Sequence, residues 1–496
     1  MCLNTDFEPS HKDMGRHMVS GIINSGIAQF VKVLCQFGSI IILSRLVPPS
    51  DFGLLAMVGP VFGFVTLFQD LGLSQATVQK PELNHDEVNA FFWLNVAVGA
   101  ALTAIVLALS PLVGWYYGEP RVVPLTIAMG LLILLGSLGN QPGAIMMRRM
   151  EFRALTLNGI VGAITGLAAS IVAAIFLKNY WALYWGLVVG TVIPVIGVWF
   201  FSRWRPSIPR WVPGMGNMLK FGAGVTTANV AGFFSGNTDN VLIGWRWGDH
   251  ILGLYDRAYK LLLFPLQRIV GPVMGTIVPV LSRLTNDPER YRRIFLKTMA
   301  QLTLTAWPGI VWAIVLSDTM VPTLLGKQWV GASTIFQPLA IAGLLQVVNN
   351  SLGCLLVSQG RTGELARWGI FGAATCVAAF VIGLPYGAGG VAIAYAISEG
   401  LRTPLVWWRI PRRGPVKATD VIRAVLPQVI SILVSGLALL AYRKMVEAPP
   451  IFFLTGGLVL SYAVTVLIMS FSSGGRETLK QTIITGQRIL LHIIRK

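Results

Sequence analysis

Charge is scarce in this chain. Of 496 residues, 12% are Asp, Glu, Lys or Arg, while 54% are hydrophobic. A soluble protein carries about a quarter charged residues, so a water-soluble enzyme or binding domain is excluded. Cysteine is scarce too. Cys2, Cys35, Cys354 and Cys376 show no CxxC or paired spacing, which excludes a disulfide framework and a thiolate metal centre. The five histidines, 11, 17, 85, 250 and 492, have no ligand spacing. No GxxxxGK[ST] loop is present, so no ATP-driven motor is encoded. Gly387-Ala388-Gly389-Gly390 lies in a turn without the strand–loop–helix setting of a dinucleotide site. No cofactor and no metal are expected. Loops stay under about 25 residues, which leaves little room for the extramembrane chemistry of a membrane polymerase or ligase. The first eighteen residues are polar and the first apolar run is too long for a signal h-region.

What the chain has is long apolar runs. Fourteen are read, with soft edges: 21–43, 53–72, 89–114, 122–139, 155–177, 180–201, 219–243, 252–282, 296–317, 332–358, 364–384, 389–409, 424–442 and 451–471. Most are long enough to cross a bilayer. In lipid every backbone polar group must be satisfied internally, so they are expected to be helices. A barrel would need shorter alternating segments. The expected fold is an all-α polytopic membrane protein of about 14 transmembrane helices.

Net charge is +18. With the N-terminus placed inside, 28 Lys and Arg fall in inner loops and tails and 7 in outer ones. That bias follows the positive-inside rule and puts both termini in the cytoplasm. The basic balance is then topology, with anionic phospholipid headgroups as its partner. Nucleic acid is not needed to explain it.

The chain also repeats itself. Leu46-Val47-Pro48-Pro49-Ser50-Asp51-Phe52-Gly53-Leu54 and Arg246-Trp247-Gly248-Asp249-His250-Ile251-Leu252-Gly253-Leu254 each follow an apolar run, with the Gly-Leu pairs 200 residues apart. Gly159-Ile160-Val161-Gly162-Ala163 returns as Gly369-Ile370-Phe371-Gly372-Ala373. Two copies of a six-helix unit predict two pseudo-symmetric lobes, as in many secondary transporters. The lobes are expected at 1–205 and 206–410. A Pro-containing linker lies at 203–218, and 411–496 holds two extra helices and a basic tail. Leu479, Ile483, Leu490 and Ile494 give that tail an amphipathic, surface-lying reading or a frayed one.

Four cations remain inside apolar segments: Lys32, Arg257, Lys260 and Arg268. Charge at membrane depth is costly and marks a cavity or a partner. Lys260 lies about 60° from Arg257 on one side and Arg268 about 20° on the other, in a stripe about 16 Å long. Such a stripe could hold an anion, and the planar fork of Arg suits phosphate. The plainer readings are an Asp256–Lys260 pair at i,i+4 and snorkelling by Arg257 or Arg268. Asp70 and Asp239 are candidates for ion coupling, against a helix-end hydrogen bond for each; Glu399 is a weaker candidate. Trp115, Trp204, Trp245, Trp247, Trp329 and Trp408 stand among the tryptophans of an interfacial belt.

Several stretches resemble Wzx-type polysaccharide flippases of the multidrug/oligosaccharidyl-lipid/polysaccharide exporter superfamily, in the branch of colanic-acid and succinoglycan exporters. They are Ser44-Arg45-Leu46-Val47-Pro48-Pro49-Ser50-Asp51-Phe52-Gly53-Leu54, Asp70-Leu71-Gly72-Leu73-Ser74-Gln75-Ala76, Met147-Arg148-Arg149-Met150-Glu151-Phe152-Arg153, Asp239-Asn240-Val241-Leu242-Ile243-Gly244, Gly253 to Leu261 with Pro265, and Leu325-Gly326-Lys327-Gln328-Trp329. The resemblance implies a two-lobe transporter, not an enzyme, with a central cationic cavity in the bacterial inner membrane. Its implied cargo is an undecaprenyl-diphosphate-linked oligosaccharide, driven by H+ or Na+. Its neighbours would be the polymerase and export machinery of the same polysaccharide. Arg257 and Lys260 match the family's Tyr-x-Arg-Ala-Tyr-(Lys/Arg) segment. Asp256 stands where the family commonly has Asn or Ser, which would partly neutralise Lys260. Lys32 is placed by position, and the headgroup is expected between it and the cationic stripe. An antiporter of organic cations is the alternative from the same superfamily; it would favour acidic cavity residues.

Overall fold

The computed structural model describes residues 14–80, 83–209, 233 and 236–494. Among them every regular element is helical. Among the described residues twelve stretches are long and apolar enough to cross a membrane. Two expected segments, 364–384 and 389–409, are two helices, Thr362–Gly383 and Gly387–Arg409, that turn back through a 3-10 turn at Leu384–Tyr386 and pack on each other; they share one of the twelve apolar stretches, Thr362–Arg409. The seventh expected segment, 219–243, lies largely outside the described residues. The chain divides into two compact units, Met1–Gly253 and Leu254–Lys496.

The first unit holds α1 (Met14–Leu46), α2 (Pro49–Thr66), α3 (Leu73–Gln79), α4 (His85–Tyr117), α5 (Val122–Arg148), α6 (Phe152–Leu177) and α7 (Trp181–Ser202), and the start of α8 (Thr238–Arg283). Local signals set the ends. Asn84 caps α4 by accepting from the Glu87 amide at 2.8 Å, and Glu87 reaches back to the Asn84 amide, a capping box that satisfies two orphan donors. Basic residues at the end of α5 close other helices: Arg148 donates to the Thr77 carbonyl at 2.9 Å and Arg149 to that of Ser202 at 2.8 Å. These carbonyls end α3 and α7 without an intrahelical partner. α8 is two helices in sequence, because Gly248 sits at φ 78°, a region open to glycine. The break falls between the seventh and eighth apolar segments, as their spacing predicts.

Within this unit the two copies of the Gly-Leu motif cross. A methyl built on Gly53 would lie 1.8 Å from the Asp249 carbonyl oxygen, and one on Gly253 1.9 Å from that of Pro49. Pro49 and Asp249 are 200 residues apart, as are Gly53 and Gly253. The contact is therefore self-complementary, as an isologous interface is. Each copy supplies the bare glycine that admits the other's backbone. Small residues at helix crossings allow this approach in membranes.

A clamp closes beside the crossing. Arg121, between α4 and α5, binds Glu119 through Nε at 2.8 Å and through Nη2 at 3.0 Å, and Asp249 at 2.7 Å. The hydrogen bonds from Arg121 hold the Glu119 carboxyl below the usual carboxylate range, and the Arg121 guanidinium is pushed up by the same bond. A depressed folded-state value means the clamp is whole above the ordinary carboxylate pKa and weakens as pH falls through the folded one. As pH falls below the ordinary carboxylate pKa, hydrogen exchange at residues 118–122 is therefore expected to lose protection, running in excess of what its falling intrinsic rate allows. Glu119→Gln should remove that excess; an unchanged profile in the variant would contradict the assignment.

The second unit holds the rest of α8, then α9 (Pro288–Val315), α10 (Ser317–Leu325), α11 (Val330–Ser358), α12 (Thr362–Gly383), α13 (Gly387–Arg409), α14 (Ala418–Met445), α15 (Pro450–Phe471) and α16 (Ser473–Ile494). α14 and α15 pack on α9. Polar side chains bind across these faces. The Trp312 indole donates to the Leu454 carbonyl at 2.9 Å, and Ser461 to that of Pro308 at 2.8 Å. The basic tail is helical as α16 and contacts α15. Two tryptophans leave the expected belt: Trp329 is fully buried and Trp204 nearly so. Trp329 closes a 3-10 turn at Lys327–Trp329, and Trp204 packs with Phe92 and Trp199. Trp115, Trp245, Trp247 and Trp408 are exposed.

Candidate functional site

Lys32 stands on α1, half-buried against α6. Its Nζ occupies the notch over Gly159, where a methyl would come within 2.8 Å. A larger residue at 159 would make the ammonium shift. So the second sequence echo, Gly159, serves as the seat of a cation in the first unit.

The other three cations stand on α8 in the second unit. Arg257 is 8% exposed. Its neighbour Asp256 is also buried and accepts from Lys260 at 2.8 Å, while the Lys260 side chain remains 54% exposed. The i,i+4 pairing foreseen from spacing is thus formed, and it leaves the charge of Lys260 largely balanced. Arg268 is half-buried and engaged with neighbours. Tyr255 and Tyr259 stack 6.1 Å apart on the same helix.

The carboxylates divide by setting. Asp70 accepts from the Ser74 hydroxyl at 2.6 Å and from its amide at 3.2 Å, with Asn95 at 3.5 Å. Asp70 thus satisfies an amide in the first turn of α3 from two residues before its N-cap, Gly72, where the helix dipole favours a carboxylate. Asp239 is 3% exposed in the first turn of α8 and accepts from the Asn240 amide at 2.9 Å.

Glu399 is the residue that sequence reading undervalued. It is 2% exposed, and its carboxylate pairs with Arg402 on the same helix, α13. Asn349 of α11 donates to Glu399 at 3.3 Å and to Thr403 at 2.9 Å, and its own oxygen accepts from the Trp407 indole at 3.1 Å. Gln346 binds the Tyr395 hydroxyl. Arg402 also donates to the Gly372 carbonyl at 3.3 Å. Tyr395, Glu399 and Thr403 recur at i+4 spacing, and Gln346 and Asn349 at i+3, so two facing polar stripes were there to be read. Among the described residues no group of His, Cys, Asp and Glu could hold a metal ion.

Multiple helices of membrane-spanning length and hydropathy define a multi-pass membrane protein. The fold matches that class. A lipid II flippase, MurJ, in an inward closed conformation superposes with a TM-score of 0.74 at 14% identity, covering 90% of this chain and 98% of its own. An inward-facing multidrug resistance MATE family transporter of the MOP superfamily superposes at 0.61, also at 14% identity, covering 84% and 98%.

The family described as "Polysaccharide biosynthesis protein" matches residues 42–334, and the chain belongs to it. The lipopolysaccharide biosynthesis protein WzxC of Escherichia coli K12 is 24% identical over 79% of this chain and 80% of its own length. The succinoglycan biosynthesis transport protein ExoT of Rhizobium meliloti is 23% identical over 70% of each.

Proposed function

We propose that the chain flips an undecaprenyl-diphosphate-linked oligosaccharide across the bacterial inner membrane during polysaccharide synthesis. The observation that carries this reading is Arg257: a guanidinium 8% exposed inside a membrane-spanning helix, in one stripe with Lys260 and Arg268. A diphosphate moved through hydrocarbon alone meets a prohibitive barrier. A cationic interior offsets its charge while the lipid tail stays in the bilayer. Since Asp256 balances Lys260, the phosphate-facing role falls to Arg257 and Arg268, with Lys32 supplying the cation of the first unit. An interior of basic charge suits an anionic cargo and disfavours an organic cation.

The repeats 1–205 and 206–410 are the two lobes of an alternating-access cycle in this reading. Coupling to H+ or Na+ is assigned to Asp239 or Asp70, carboxylates set at the ends of apolar segments. The basic loops face anionic phospholipids of the cytoplasmic leaflet, where both termini lie, and the product passes to polymerase and export machinery.

The test is deletion of the gene followed by lipid extraction. Loss of one polymer, with diphosphate-linked repeat units accumulating, is expected. Arg257→Ala and Lys32→Ala should each fail to restore the polymer while inserting normally. Normal polymer in the deletion strain would overturn the reading; normal export by both variants would overturn the residue roles.

A further inference from the structure

A second basic site lies away from the Arg257 stripe, at the arginine-rich end of α12 and α13. There a cleft of about 680 Å³ is lined by Arg367, Arg409, Arg412 and Arg413. Four guanidiniums face one carboxylate, Glu364, which is already bound by Arg361 at 2.7 Å and approached by Arg413 at 3.5 Å. Arg409 has no hydrogen-bond or ion-pair partner among the described residues. Arg412 lies flat on Trp408, 3.5 Å from the ring centroid, which holds its fork in place without neutralising it. Among the described residues Glu364 is the one carboxylate lining the cleft, so its basic charge exceeds its acidic charge and suits an added anion.

The apolar part of the cleft says what kind of anion. Phe371 and Leu405 line it and are both exposed. From Leu405 an exposed stripe runs back along α13 through Leu401, Ile397 and Ile393, one residue per helical turn. From Ile393 to Trp408 it is about 22 Å long, and it lies in a helix of membrane-spanning length and hydropathy. A free phosphate would use the guanidiniums and leave this stripe untouched. A lipid uses both, with its phosphate on Arg409 and Arg412 and an acyl chain along the stripe.

We propose that this cleft is a binding site for the phosphate headgroup of an anionic glycerophospholipid. Unpaired arginines select net negative charge over a zwitterionic head. The proposal does not rest on the identity of the transported cargo, since its ligand is a component of the bilayer.

The test is native mass spectrometry of the full chain in detergent, titrated separately with phosphatidylglycerol, phosphatidylcholine, undecaprenyl diphosphate and inorganic phosphate. Wild-type protein is expected to retain phosphatidylglycerol at least tenfold more tightly than phosphatidylcholine, with millimolar phosphate failing to displace it. R409Q/R412Q should lose that preference. Trp408→Ala, which removes no charge, should weaken it several-fold, and it serves as the second readout if the double variant is unstable. Equal retention of the two phospholipids, displacement by inorganic phosphate, or unchanged preference in both variants would overturn the proposal. So would tenfold tighter retention of undecaprenyl diphosphate abolished by R409Q/R412Q, which would make the cleft a cargo site.

Discussion

Gly53→Val is expected to leave almost no folded protein in the membrane. The added Cβ would meet backbone only: the Asp249 carbonyl oxygen at 1.8 Å, its carbon at 2.5 Å and its Cα at 2.8 Å. No flexible side chain is available to swing aside, so the two helices must part. Overpacking a well-fitted site costs about 1–3 kcal/mol when side chains can adjust; here they cannot, and at least about 3 kcal/mol is expected. Gly253→Val should act alike, because its Cβ falls 1.9 Å from the Pro49 oxygen. The control lies on the same helix. A methyl on Gly59 meets nothing within 4 Å, so Gly59→Ala should be neutral or gain up to about 1 kcal/mol from helix propensity. Thermal unfolding followed by size-exclusion chromatography separates the outcomes. Equal melting of Gly53→Val and Gly59→Ala would show that the crossing is not a close backbone contact.

Glu399→Gln is expected to destabilise the second unit by about 3–5 kcal/mol, the range for removing one partner of a buried ion pair. The Arg402 side chain is 19% exposed and Glu399 2%, so the abandoned guanidinium cannot reach bulk water cheaply. Its other acceptor is the Gly372 carbonyl at 3.3 Å, which does not balance a charge. Glu399→Gln with Arg402→Met should regain more than half of the loss, because the double variant buries no uncompensated charge. Arg443→Gln serves as the exposed comparison. Its pair with Asp318, at 2.9 Å, has both side chains more than 40% exposed, and such pairs contribute about 0–1 kcal/mol. If Glu399→Gln melts like Arg443→Gln, the buried network is not structural, and the carboxylate returns as a coupling candidate.

Much of the architecture was legible in the chain because bilayer physics restricts the choices so severely. Apolar runs had to be helices, and the break between residues 243 and 252 coincides with Gly248. The Asp256–Lys260 pair followed from i,i+4 spacing and formed. The repeat was legible as a repeat, but its use was not. That Gly53 and Gly253 admit each other's partner backbones depends on two helices meeting in space, and no one-dimensional pattern encodes a crossing. The Asn349–Glu399 network was hidden for a related reason. Each helix shows only a few polar residues, and their joint meaning depends on α11 facing α13. Trp329 and Trp204 were misplaced because nearness to a helix end says nothing about which way the ring turns.

The central claim is that the basic interior carries a diphosphate-linked cargo across the bilayer. The most direct measurement uses purified protein in sealed vesicles containing fluorescent undecaprenyl-diphosphate oligosaccharide, with an ion gradient imposed and the cargo's exposure to an external quencher followed in time. Wild-type protein is expected to redistribute the cargo, and Arg257→Gln to do so at least tenfold more slowly while melting within a few degrees of wild type. Redistribution by Arg257→Gln at the wild-type rate, or none by wild-type protein under either a proton or a sodium gradient, would contradict the account.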